Sequence, residues 1–215
     1  MEIFELLKDN KGTISSALGK ELAQKVLDGN LVILDEAIKL STYEIGSKKS
    51  KNIRAGAAKI VEIAAEKRPE LVAPYLDKLM PALTVDEPQT KWMILRTMGF
   101  CAEKNPKEAE KAFEYAVKCL DNKQGLCLSS SAVLYLGDLG ALSKEYAKKV
   151  FPIIEKASID ASVNEVDWIL EAYMKVADNL HKEQSKIAKY AYENINAPKK
   201  STQKRIDKLL KMISK

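Results

Sequence analysis

The sequence predicts an all-α protein, a stack of repeated helix pairs, and three observations carry that prediction. Residues 52–69, NIRAGAAKIVEIAAEKRP, read as an amphipathic helix with a stop. Ile53, Ala57, Ile60, Val61 and Ala64 recur at i, i+4, i+7, i+8 and i+11 and share one face, and Pro69 ends the run. Fragments then return at a nearly constant spacing. Ala65-Glu66-Lys67-x-Pro69 is echoed by Ala102-Glu103-Lys104-x-Pro106 after 37 residues. Gly99 and Phe113 are echoed by Gly137 and Phe151, and Ser143-Lys144-Glu145 by His181-Lys182-Glu183, each after 38. Such a period marks units that cannot bury their apolar faces alone and must stack. Composition agrees: 46% hydrophobic but only 7% aromatic residues, with nine Gly and seven Pro in 215 residues, suit packed helices.

In chain order, a short helix over residues 2–9 breaks at Asp9-Asn10-Lys11-Gly12. Thr13 is the expected N-cap of a second helix, which Asp28-Gly29-Asn30 closes. Residues 1–29 are read as an N-terminal capping pair. Five pairs follow, each with a first helix, A, and a second, B. They are Leu31–Glu44 with Asn52–Arg68 across the basic turn Gly46–Lys51, Glu70–Leu83 with Thr90–Asn105, and Lys107–Leu120 with Leu126–Leu142. Lys144–Ala157 with Val163–Leu180 and Lys182–Asn196 with Ser201–Ile213 complete them. Repeats occupy 30–197 and a basic C-terminal capping helix 198–215. No linker is long enough to divide the chain, so one domain over 1–215 is expected.

The B helices carry the clearest register. Ile53, Thr90, Leu128 and Val166 align, as do Ala57, Ile94, Ala132 and Leu170 four residues on. Val61, Met98, Leu136 and Met174 align next, then Ala64, Cys101, Leu139 and Ala177. At ~100° per residue these positions fall within about 80°, a single buried face. Leu83 followed by Asp86, and the I-R-x-x-A-A run of Ile53–Ala58, resemble HEAT repeats, with Arg54 at the family's arginine and Lys91 a near match. Ser129 and Asp167 depart from that pattern. The resemblance implies a right-handed α–α superhelix, with the B helices lining a concave surface and an Asp–Arg ladder in the first half of the chain.

No apolar run reaches the roughly 18 residues of a membrane span, and the acidic start MEIFELLKDN is unlike a secretory signal. Cys101, Cys119 and Cys127 show no ligand spacing and leave one over from any pairing, so reduced thiols in a cytoplasmic protein are expected. The net charge of +5 is uneven: residues 197–215 hold seven Lys and Arg against Asp207 alone. His181 is the only histidine, so no Ser-His-Asp or Cys-His arrangement is readily built. Gly19-Lys20 is no phosphate loop, because Ile14 and Glu21 stand where that motif needs Gly and Ser or Thr. No metal, cofactor or catalytic residue is expected.

Two features remain as candidates. Trp92 and Trp168 lie 76 residues apart in one register, about 200° round the helix from the buried face. The stripe they define includes Arg96, Gly99, Ser130, Leu134, Gly137, Ala172 and Lys175. Read as an open concave surface, it would take a protein or peptide partner through Trp92, Arg96, Ser130, Leu134, Trp168 and Lys175. The packing alternative is that each indole lies over a neighbouring repeat. The second candidate is the C-terminal helix, apolar at Ile206, Leu209, Leu210 and Ile213. It is read as a cap, with Lys199, Lys200, Lys204, Arg205 and Lys208 available to nucleic acid or an acidic partner as the alternative. The expected function is a non-enzymatic protein-interaction scaffold. The alternative is a nucleic-acid-binding protein related to the DNA alkylation repair glycosylases built from HEAT-like repeats. Residues 1–196, at about −1, carry too little positive charge for a DNA cradle.

Overall fold

In the computed structural model, which describes residues 3–9, 17–159 and 161–214, all regular structure is helical. The chain divides into two compact units, Met1–Tyr115 and Ala116–Lys215. The expected N-cap Thr13 lies outside the described residues.

The first unit holds α1 (Ile3–Asp9), α2 (Ala17–Leu27), α3 (Leu31–Leu40), α4 (Lys51–Lys67), α5 (Pro69–Val72), α6 (Leu76–Leu79), α7 (Pro88–Phe100) and α8 (Pro106–Glu110). Helix α4 is its centre and packs on α1, α2, α3 and α7. Ala57, Ala58, Ile60, Val61, Ala64 and Ala65 are all fully buried. Gly56 leaves room for α1: a Cβ there would come within 2.6 Å of Leu7 Cδ2.

Helix α9 (Phe113–Asp121) runs into the second unit, which holds α10 (Leu126–Gly140), α11 (Lys144–Ile159), α12 (Val166–Val176), α13 (Gln184–Glu193) and α14 (Lys200–Ile213). Here α10 packs on α11 and α12, and α14 packs on α12 and α13. Of the sixteen B-helix positions aligned above, fifteen are buried and Met174 is half-buried.

Two A helices differ from expectation. The segment read as one helix over Glu70–Leu83 is α5, a 3-10 turn at Ala73–Tyr75, α6, and a 3-10 turn at Met80–Thr84. Pro74 and Pro81 explain the breaks, since each lacks an N–H and its ring collides with the carbonyl four residues back. The segment read as Lys107–Leu120 is α8 and α9, parted at Lys111–Ala112 with no helix-breaking residue there. Helix α11 instead runs through Pro152, whose residue is exposed.

Candidate partner-binding surfaces

A polar cluster of the first unit is built on Arg54, which the I-R-x-x-A-A run places one residue after buried Ile53. Its side chain is 1% exposed. Nε and Nη2 donate to the two carboxylate oxygens of Glu87 at 2.7 and 2.8 Å. Nη1 donates to the carbonyls of Tyr43 (3.0 Å) and Glu44 (2.6 Å), and Nη2 to that of Ser47 (3.0 Å). One guanidinium thus ties the α3–α4 turn to the start of α7. Thr90 Oγ1 donates to Glu87 at 2.9 Å. Burial disfavours the Glu87 charge, but hydrogen bonds from Arg54, the backbone and Thr90, with the Arg54 charge, hold its carboxyl below the usual value. The acid of this pair is therefore Glu87, whereas Asp86, to which the family resemblance pointed, is exposed. Every member is spent on the turn and on its neighbours, so the cluster holds the fold rather than a ligand.

Both tryptophans are half-buried, and each lies beside the preceding B helix. Lys59 of α4 sits 5.7 Å from the Trp92 ring centroid. Trp168 of α12 shares a cleft with Ser129 and Val133 of α10. The stripe between these registers is not the open surface expected. Arg96 is buried and lies over its own helix's Phe100 at 4.2 Å, and Gly99 is buried. A Cβ on Gly137 would come within 2.8 Å of the Ala172 Cα, and Ala172 is itself fully buried. Glycine there serves α10–α12 contact and leaves no opening for a partner. Lys175 is drawn back to Asp138 of α10 at 2.5 Å. Ser130, whose hydroxyl donates to the Cys127 carbonyl at 2.9 Å, and Leu134 are half-buried.

The Trp168 cleft has a volume of 280 Å³. Leu120, Leu126, Val133, Ile153, Ala157 and Ile169 give it aliphatic walls, while Asp121, Lys123, Lys156 and Glu165 supply its charges. Asp121 and Lys156 pair at 2.8 Å, and Glu165 accepts from the Ser162 N–H and hydroxyl. Its lip is the α9–α10 turn, where Lys123 (φ 47°) and Gly125 (φ 100°) are left-handed. These walls come from four helices, so the periodicity of no single helix reveals them.

Helix α14 buries Thr202, Ile206 and Leu209. Lys200, Lys204, Lys208 and Lys211 are exposed and fall within about 80° on the opposite side. Arg205 is half-buried and lies 3.5 Å from Asp167 of α12, and Lys199 reaches Asn164 at 3.3 Å. His181 is exposed. Cys101 and Cys119 are buried and Cys127 is exposed. Burial, with the nearby Glu70 charge, pushes the Cys101 thiol up to about 12, which makes it a packing residue.

No protein-family model matches the chain, and no curated protein matches it. Among solved structures it is similar to the crystal structure of an engineered protein from the Northeast Structural Genomics Consortium. The identity is 14%, the match covers 100% of this chain and 97% of the other, and the TM-score is 0.62. At that identity the likeness concerns the fold alone: this chain shares with the engineered protein an all-helical arrangement of packed helices.

Proposed function

We propose that the chain is a HEAT-like right-handed solenoid serving as a non-enzymatic, cytoplasmic scaffold that holds a protein or peptide partner on its B-helix surface. The observation that carries this reading is the pair of tryptophans. They occupy one register two repeats apart, and each is half-buried beside the preceding B helix. Indoles concentrate binding energy because they bury a large area and keep one N–H for a partner. With Arg96 buried, the first unit offers Trp92, and the second offers Trp168 with the half-buried Ser130, Leu134 and Lys175. No described helix is long and apolar enough to cross a membrane.

The test is capture from the source lysate followed by calorimetry with the purified partner. Trp92→Ala and Trp168→Ala should each weaken binding by about 1–3 kcal/mol. Unchanged affinity in both variants would remove the reading.

A second reading, nucleic-acid binding, is favoured by the α14 lysines alone. Their helix already spends its apolar face inside the fold, so the basic face would dock through charge. Four phosphate contacts predict a slope of log K against log salt near −3.6, from about −0.9 per phosphate on duplex DNA. A labelled duplex that shows no salt-dependent binding would exclude it.

A further inference from the structure

The positive charge of the second unit is confined to its last helix and the turn before it. Residues 116–196 hold ten Lys and Arg against eleven Asp and Glu, whereas 197–215 hold seven against Asp207 alone. On α14, Lys200, Lys204, Lys208 and Lys211 are exposed and form a row about 16 Å long. Among the described residues none of the four forms an ion pair, not even with Asp207 at the edge of the row. The depression along the row is lined by Lys204, Asp207, Lys208, Lys211 and Met212, all from α14, so no other helix covers it.

Other helices of the chain treat their exposed lysines differently. Lys25 faces Glu21, Lys39 faces Asp35 and Lys189 faces Glu193, each at i, i+4. Lys200, Lys204 and Lys208 stand at that same spacing with like charge, which weakens a helix. A cap that needed only to be soluble would gain by mixing signs, as these helices do. Four unpaired cations in a row instead raise the local potential and draw a polyanion.

The other groups of α14 decide which polyanion. A protein interface is depleted of lysine at its core. Lasting membrane attachment needs an inserted apolar face or a lipid chain besides the charge, and the apolar side of α14 is buried against α12 and α13. Single strands are held by bases stacked on aromatic rings, and α14 has none. Its only arginine, Arg205, is turned to Asp167, so no guanidinium fork is left in the row to read a base edge. Duplex DNA asks for phosphate contacts alone, which lysine supplies as a point charge.

We propose that the lysine row of α14 docks on the phosphate backbone of double-stranded DNA without reading its sequence, covering about half of a ~34 Å helical turn. This rests on the nucleic-acid reading and deepens it, because it excludes single strands and base readout and fixes the contact to four side chains. So small a contact belongs to the non-specific range, with Kd about 10⁻⁴–10⁻⁶ M. It holds the chain near DNA but selects no site.

Fluorescence anisotropy of the full chain with short labelled DNA tests the proposal. Two duplexes of unrelated sequence should bind equally and with the same salt slope, near −3.6. Lys204→Gln alone should bring that slope to about −2.7. Lys200→Gln, Lys204→Gln, Lys208→Gln and Lys211→Gln together should abolish salt-dependent binding at an unchanged melting midpoint, since all four side chains are exposed. A charge-matched control, Lys20→Gln with Lys48→Gln, Lys49→Gln and Lys51→Gln, removes four exposed lysines of the first unit and should keep it. The single strand should bind more weakly than the duplex, and phosphatidylserine vesicles should not retain the protein.

The row and the reading fail separately. If neither duplex nor single strand binds the parent chain, both fall. If the duplex binds but the charge-matched control loses as much as the α14 variant, the reading stands and the row falls. A single strand bound as tightly as the duplex would also overturn the proposal, as would retention on vesicles that the α14 changes release. The parent chain's titrations need no variant to fold.

Discussion

The two units couple their B helices through charge in opposite environments. In the first, Arg54 is sealed from water and divides its donors between the two oxygens of Glu87 and three carbonyls. In the second, the same register holds Asp167, and Arg205 stands 38 residues beyond it, at the same register again. That pair meets at 3.5 Å with side chains 20% and 37% exposed. The register is thus a place where neighbouring B helices exchange charge, and burial decides what the exchange is worth. Burying an ion pair gains little over apolar packing, yet breaking it leaves a charge stranded in a medium that cannot solvate it. An exposed pair leaves its survivor in water.

The largest expected effect follows from that asymmetry. Arg54→Met strands the Glu87 carboxylate and three carbonyls, and should cost about 3–5 kcal/mol in denaturant melts. Cys101 in the first unit and Cys119 in the second, both buried, report where the loss falls. Alkylation of Cys101 should accelerate more than that of Cys119. Equal acceleration, or an unchanged midpoint, would show that the clamp does not act locally.

Next in size is Gly137→Ala in the second unit. The added methyl would meet backbone at Ala172 Cα, so α10 and α12 must part. Overpacking costs typically 1–3 kcal/mol, and the better helix propensity of alanine returns up to about 1 kcal/mol. A variant more stable than the parent would show that the contact is slack.

Acid should distinguish the units too. Folding holds the Glu87 carboxyl below its ordinary value of 4.5, so the unfolded chain binds that proton more tightly. The stabilisation is complete above the unfolded value and drains away as pH falls through the lower folded one. The stability gap between parent and Arg54→Met should therefore be widest near neutrality and shrink on acidification. A gap that stays constant with pH would mean that Glu87 does not carry it.

The smallest effect is expected at Arg205→Ala. The pair with Asp167 is partly hydrated, so its loss should cost about 0–1 kcal/mol, measurable as a small shift in the melting midpoint. A loss as large as that of Arg54→Met would erase the contrast between the units.

The sequence by itself determined the helical class, the period and the inward face of the B helices, because apolar spacing at 3.6 residues per turn is a local property that packing has to respect. It also determined that α14 is amphipathic, and its apolar side is indeed used within the fold. Two misreadings have tertiary causes. The face 200° from the core looked open, but α10 has α12 packed on it as well as α11. Gly137 and Ala172 therefore meet each other rather than solvent. Likewise Asp86 and Glu87 are adjacent acids in one turn, and only the path of that turn decides that Glu87 points at Arg54 while Asp86 points into water. The prolines at 74 and 81 were visible, and their effect on the A helix follows from local sterics alone. The Trp168 cleft was not visible, since its walls come from four helices and sequence periodicity describes one helix at a time. Which polar groups pair, and which gaps stay unfilled, depends on distances between elements, and those exist only once the chain has folded.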